Sequence, residues 1–183
     1  MISKKMSPRK LATLMGLVVI VLCFITYNSL KGANCLNKND KTIAANPVGT
    51  NMSLRDSVVD FGMELLGTPY VVAATGKDGF DCSGFVYYVF QHHNIQVPRS
   101  SPQYGHFGKE IPIENVRKGD VLVFLSPTKN VIGHVGIVTN AKGKESDFIH
   151  ASSGRDMKVI ITSLKNEGYA RRFVKAVDVL SDF

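Results

Sequence analysis

The stretch Gly79-Phe80-Asp81-Cys82-Ser83-Gly84-Phe85-Val86-Tyr87-Tyr88-Val89-Phe90-Gln91-His92 changes character at its fourth residue. Up to Asp81 it has the look of a glycine-bearing loop, with Gly76 just upstream. From Cys82 onward the apolar residues Phe85, Val86, Val89 and Phe90 recur at intervals of three and four. That spacing predicts a helix over residues 82–92 with one buried face, and Asp81 stands where an N-cap belongs. Working outward toward the N-terminus, Leu54, Val58, Phe61 and Leu65 repeat at helical spacing. Ser53 and Asp56 resemble a capping box, and Gly67 and Pro69 supply the stop. Toward the C-terminus the pattern switches after the loop around residues 98–108. Short β-rich runs follow at 121–125, 134–139, 148–151, 159–162 and 173–177, separated by Gly119-Asp120, Pro127, Gly143, Gly154 and Gly168. Helices first and consecutive strands afterwards predict an α+β domain, with N-terminal helices packed on an antiparallel β-sheet.

A chain of 183 residues accommodates one such domain and a short appendage. With 44% apolar and 20% charged residues it is composed like a globular protein, which excludes wholesale disorder and a multi-spanning membrane protein. The formal charge of +7 suggests nucleic acid only until it is divided by position. Lys4, Lys5, Arg9, Lys10 and Lys31 all precede residue 34, where there is no acid. Beyond that point the excess is only +2, so no basic binding face and no nucleic-acid partner is expected.

Residues 1–33 combine those basic residues with the apolar run LATLMGLVVIVLCFITY at 11–27. This fits an export signal or a retained membrane anchor, and the positive charges on its N-terminal side leave the remainder outside the cytoplasm. Residues 34–52 are polar, contain Pro47 and Gly49, and show no period, as expected of a tether, so the folded domain is expected over 53–183. Three cysteines are an odd number for a paired disulfide framework. Cys23 lies within the apolar run. Cys35 follows it, where an acylated lipoprotein cysteine would stand, although Asn34 occupies a position that calls for a small residue.

Cys82 is placed differently. At a helix N-terminus the unpaired amides and the helix dipole favour thiolate over thiol, and the Cys82 amide is available as an oxyanion donor. An inert buried cysteine would fit the motif equally well. A nucleophile also needs a base, and the base needs an orienting group. His134 precedes the run Val135-Gly136-Ile137-Val138 and His150 ends Phe148-Ile149, so adjacent antiparallel strands can bring the two imidazoles side by side, near Cys82. His92, His93 and His106 sit at a helix end or in a polar loop and are expected to be bystanders. No paired Cys-x-x-Cys or His-x-x-x-His spacing supports a metal site, and none is expected.

Taken together, Thr68-Pro69-Tyr70, Gly79 to Val86, Pro98-Arg99-Ser100-Ser101, Gly119 to Phe124, His134 to Val138 and Phe148 to Ser152 resemble the successive signatures of the NlpC/p60 cell-wall cysteine peptidases. The resemblance implies a papain-like fold in which Cys82 is the nucleophile, His134 the general base and acid, and His150 the residue that orients it. It also implies that Tyr70 lines the site and helps hold the oxyanion. Asp81 and Ser83 would contact a peptidoglycan stem peptide, with Asp81 receiving a free amino end in the branch that trims such peptides. The segment Val71 to Gly76 departs from the aromatic or Gly-Gly pattern common at that point, which alters one subsite. The expected activity is hydrolysis of the bond between D-glutamate and the diamino acid, in the bacterial cell envelope and without a cofactor. A thioester-forming transferase and a non-catalytic envelope binding module are the alternatives.

Overall fold

The computed structural model describes residues 52–181, so the leader, the tether, Cys23 and Cys35 lie outside the described residues. The chain opens with helix α1 (Leu54–Glu64), capped by the Ser53 hydroxyl, which accepts from the Asp56 amide at 3.1 Å. Only half of the expected capping box forms, because the Asp56 carboxylate takes the Ser53 hydroxyl proton (2.6 Å) instead of its backbone N–H. A two-strand hairpin follows, β1 (Thr75–Gly76) and β2 (Gly79–Phe80), and leads directly into helix α2 (Cys82–His92). Phe85, Val86, Val89 and Phe90 of α2 are fully buried, as their spacing requires.

Six further strands form one antiparallel sheet: β3 (Lys109–Ile111), β4 (Val121–Leu125), β5 (Ile132–Asn140), β6 (Asp147–Ala151), β7 (Val159–Ser163) and β8 (Phe173–Asp178). Their order across the sheet is β3-β8-β4-β5-β6-β7, so β4 and β5 are central and the charged, three-residue β3 guards one edge. A one-turn helix, α3 (Glu167–Ala170), separates β7 from β8.

Both faces of the sheet are covered. Val121, Val123, Val135, Ile137 and Ile149 pack with Val58, Phe85 and Val89 of the helices. The alternate residues Leu122, Phe124, Val138 and Phe148 form a second core with Ile113, Leu164 and Ala176. This is the period-two division of a sheet buried on both sides.

Two ionic clusters fasten α1 to the sheet. Arg55 reaches Asp120 (2.6 Å) at the start of β4 and Asp178 (2.7 Å) at the end of β8, and Arg117 also pairs with Asp178. At the surface, Lys118 bridges to Asp56 at 2.8 Å.

Candidate active site

Cys82 is the first residue of α2, and the loop before it is shaped by close backbone contacts. The Val71 to Gly76 segment folds as a turn in which Ala73 adopts a left-handed φ of 61°. The turn delivers the Ala74 carbonyl to the Asp81 amide (3.1 Å) and to the Arg99 guanidinium (3.3 Å). That carbonyl also explains Gly84, where a Cβ would lie 2.1 Å from the Ala74 oxygen. Asp81 caps α2 by accepting from the Gly84 amide at 2.6 Å.

The sulfur is set into the edge of β5. The β5–β6 ladder runs only from Ile137↔Ile149 outward, which leaves the backbone of residues 133–135 unpaired on that side. The Cys82 thiol donates to the Gly133 carbonyl at 3.7 Å, and the amides of Ser83, Val135 and Cys82 point toward the sulfur. The Cys82 sulfur therefore lies against the strand segment that carries His134.

His134 and His150 project from β5 and β6 on the same face of the sheet, and their rings meet edge to face. The His134 Nε2 and His150 Nδ1 atoms are 3.0 Å apart, and His150 Nε2 lies 2.9 Å from the Thr162 hydroxyl of β7. The bonds can run in either of two senses. If His134 Nε2–H donates to His150 Nδ1, then His150 donates onward to Thr162 and His134 Nδ1 is left unprotonated as a base. Gly136, between His134 and Val138, makes room for the partner strand; a Cβ there would meet Phe148 at 2.6 Å and His150 at 3.1 Å.

Both imidazoles are buried, and burial is the first cause that pushes each of them down. At His134 the neighbouring His150 and then Arg172 add to it, and at His150 the Ala151 backbone opposes it while Arg172 adds, so His134 falls well below the ordinary histidine range and His150 falls to about 4. The thiol moves the other way. Burial, then the neighbouring Asp81 carboxylate, pushes Cys82 up, and the three backbone amides only partly offset this. Burial thus works against the thiolate that the helix terminus is expected to favour.

An open cleft of about 500 Å³ gives access, lined by Tyr70, Val72, Asp81, Cys82, Ser83 and Arg99 among others. Asp81 is already committed there. Arg99 grips its carboxylate with both terminal nitrogens (3.0 and 2.8 Å), and Ser83 donates to it at 3.3 Å while accepting from Arg99 at 3.2 Å. The Tyr70 phenol is pushed up by burial and by Cys82 and Asp81, and Ser153 opposes this. Val72 is 79% exposed, which gives the departing segment an apolar lip.

All six residues singled out in the sequence are therefore found around one cleft and the strand edge behind it. His92 stacks on Phe61 (3.7 Å between ring centres) at the far end of α2 from Cys82, and His93 is the C-cap residue of that helix. Among the described residues no group of three His, Cys, Asp or Glu side chains is suited to a metal ion. Sequence reading did not single out Thr162, Tyr169 or Arg172. Their motifs are ordinary, and only the pairing of β6 with β7 and the short α3 bring them to the histidines.

The NlpC/P60 family model matches residues 67–178. The chain is 30% identical over 142 residues to the gamma-D-glutamyl-L-lysine dipeptidyl-peptidase of Bacillus cereus, covering 77% of this chain and 41% of that protein. It is 37% identical over 129 residues to the gamma-DL-glutamyl hydrolase of Bacillus subtilis, covering 69% of this chain and 29% of the relative. It thus spans less than half the length of either. Against the Escherichia coli murein DD-endopeptidase MepS/murein LD-carboxypeptidase the identity is 30% over 72% of this chain and 66% of that one. Among solved structures, an NlpC/P60 family protein of Bacillus cereus superposes with a TM-score of 0.62 at 30% identity, over 70% of this chain and 41% of that one. The matched span runs from the turn after α1 to the end of β8 and takes in the cysteine, both histidines and the cleft residues, and on that ground the chain belongs to the NlpC/P60 family.

Proposed function

We propose that the chain is a cysteine endopeptidase that hydrolyses the bond between D-glutamate and the diamino acid of peptidoglycan stem peptides, in the bacterial cell envelope. The observation that carries this reading is the placement of the Cys82 sulfur against residues 133–135, with His134 tied through His150 to Thr162. Names of relatives point to the same chemistry, since one is a gamma-D-glutamyl-L-lysine dipeptidyl-peptidase and another a murein endopeptidase.

In this reading the pair rests as a neutral thiol beside a neutral imidazole, in line with the upward shift of Cys82 and the downward shift of His134. As the substrate carbonyl approaches, His134 Nδ1 takes the Cys82 proton while the sulfur attacks carbon, so charge separates only when the tetrahedral oxyanion is forming. The Cys82 amide, and the Tyr70 hydroxyl across the cleft, are the donors available to that oxyanion. The imidazolium then gives its proton to the leaving amine, leaving a thioester on Cys82. A water molecule, deprotonated by the same imidazole, resolves the thioester and restores the thiol. His150 holds the ring through this cycle by accepting at Nδ1, and Asp81 and Ser83 position the peptide. The leader, as a signal or anchor, would deliver the domain to its substrate.

Digestion of muropeptides followed by mass spectrometry tests the assignment. The expected products are a fragment ending in D-glutamate and one beginning with the diamino acid. Cleavage only at D-alanyl cross-links would contradict the proposed bond, and capture of the acyl group by added amines in preference to water would favour the transferase alternative.

A further inference from the structure

Tyr169 is the hub of the buried face behind the histidines. Its ring centre is 5.7 Å from that of His134 and 5.1 Å from that of His150, and it also packs on Phe124 and Phe148. Burial pushes its phenol up, and the Arg172 charge and then the Ser152 side chain oppose this. The Arg172 guanidinium lies 4.7 Å from the Tyr169 ring centre, donating through Nε to the Gly168 carbonyl (2.8 Å) and through Nη1 to the Leu125 carbonyl (2.9 Å). Among the described residues no carboxylate forms an ion pair with Arg172. A fixed, acid-free cation is therefore built into the wall behind two imidazoles.

We propose that Arg172, locked in place by Tyr169, is a positioning residue that sets the pH range in which His134 accepts the Cys82 proton.

This rests on the reading of Cys82 and His134 as the reacting pair. The groups that face His134 are few. From α2 the Cys82 thiol lies against the adjoining Gly133 carbonyl, and from β6 comes His150; β7 presents the Thr162 hydroxyl to His150. Tyr169 of α3 and Arg172 beyond it complete the shell, while β4 contributes Phe124, which does not titrate. Asp156, in the turn between β6 and β7, acts on the Tyr169 phenol. The nearest acid in the cleft, Asp81, is held by Arg99. Asp156 forms no ion pair with Arg172, so the Arg172 charge is left to oppose formation of an imidazolium. A base of that kind stays unprotonated in mildly acidic surroundings and protonates only as the sulfur attacks.

The full-length chain and its Arg172→Gln, Arg172→Lys and Tyr169→Phe variants would be compared by the pH profile of kcat/KM on muropeptides. Loss of the cation raises the proton affinity of the whole site, so both limbs of the Arg172→Gln profile should move to higher pH by roughly half a unit or more. Arg172→Lys, which keeps the charge, should hold the limbs near their original positions, and Tyr169→Phe should move them less than Arg172→Gln does. Unmoved limbs in Arg172→Gln overturn the proposal, even if the overall rate falls. A second measurement needs neither a variant nor turnover. Imidazole ¹⁵N titration of the unaltered protein should find the His134 ring still neutral well below the usual histidine value near 6.5, and a His134 ring that titrates at that value would overturn the proposal. Cleavage that survives Cys82→Ala would instead defeat the assignment of the reacting pair and leave the titration to decide on Arg172.

Discussion

Cys82→Ala is expected to lower kcat/KM for muropeptide cleavage by at least about a thousandfold, because no other group replaces a covalent nucleophile whose base has no second acceptor. Cys82 is 9% exposed and lies at the floor of an open cleft, so loss of the sulfur leaves a wall that water can reach. The folded protein should tolerate the change with less than about 1 kcal/mol lost, and muropeptide binding should persist. That combination separates loss of chemistry from loss of structure. Thermal unfolding, ligand binding and turnover measured on one preparation would check it. A variant keeping a tenth or more of the activity would contradict the nucleophile assignment.

The largest stability effect is expected at Arg55, far from the chemistry. Its guanidinium stands between Asp120, whose side chain is fully buried, and Asp178, which is 2% exposed. Arg55→Met leaves the desolvated Asp120 without its cation and Asp178 with Arg117 alone, and breaking such a buried pair costs about 3–5 kcal/mol. The two acids respond to pH in opposite ways. Asp178 is held down to about 2: burial, its first influence, raises it but is outweighed by the Ser181 hydroxyl, the Leu180 amide and Arg55. Its contribution is thus present above the ordinary aspartate value near 4 and is lost as pH falls toward 2. Asp120 is pushed up, since burial outweighs Arg55 and the Arg117 amide, so it disfavours the folded state once ionised and relieves part of the acid sensitivity. In Arg55→Met the buried Asp120 carboxylate loses its cation beside Asp178, which keeps Arg117, so Asp120 is pushed further up and the variant should regain stability as pH falls from 7 toward 5. Denaturant unfolding at both pH values would check this, and equal stability of variant and parent at pH 7 would refute it.

How much of this was legible in the sequence depended on the range over which each interaction acts. Helix α2 begins and ends at the residues that its apolar spacing and the Asp81 cap indicate. The five longer strands lie where their β-branched runs lie, with ends shifted by at most two residues. The β1–β2 hairpin, β3 and α3 were not foreseen. Elements of two to four residues carry no period, and their pairing is decided by what they pack against. Cys82, His134 and His150 could be picked out because few residue types perform their chemistry and neighbouring strands carry the two histidines. The protonation state at rest could not, since it depends on a burial that only the assembled sheet produces. Likewise, the Arg99 grip on Asp81 spans 18 residues, and the Tyr169–Arg172 support reaches the histidines from beyond β7.

In the proposed reaction the Cys82 thiol, in contact with the strand carrying His134, is the group that attacks. Graded alkylation with iodoacetamide, with the modified fraction at Cys82 read by peptide mapping and the remaining cleavage assayed in the same samples, measures that directly. The predicted result is a straight line on which activity reaches zero when Cys82 is fully modified, whatever the state of Cys23 and Cys35. Full modification of Cys82 with cleavage intact would contradict it.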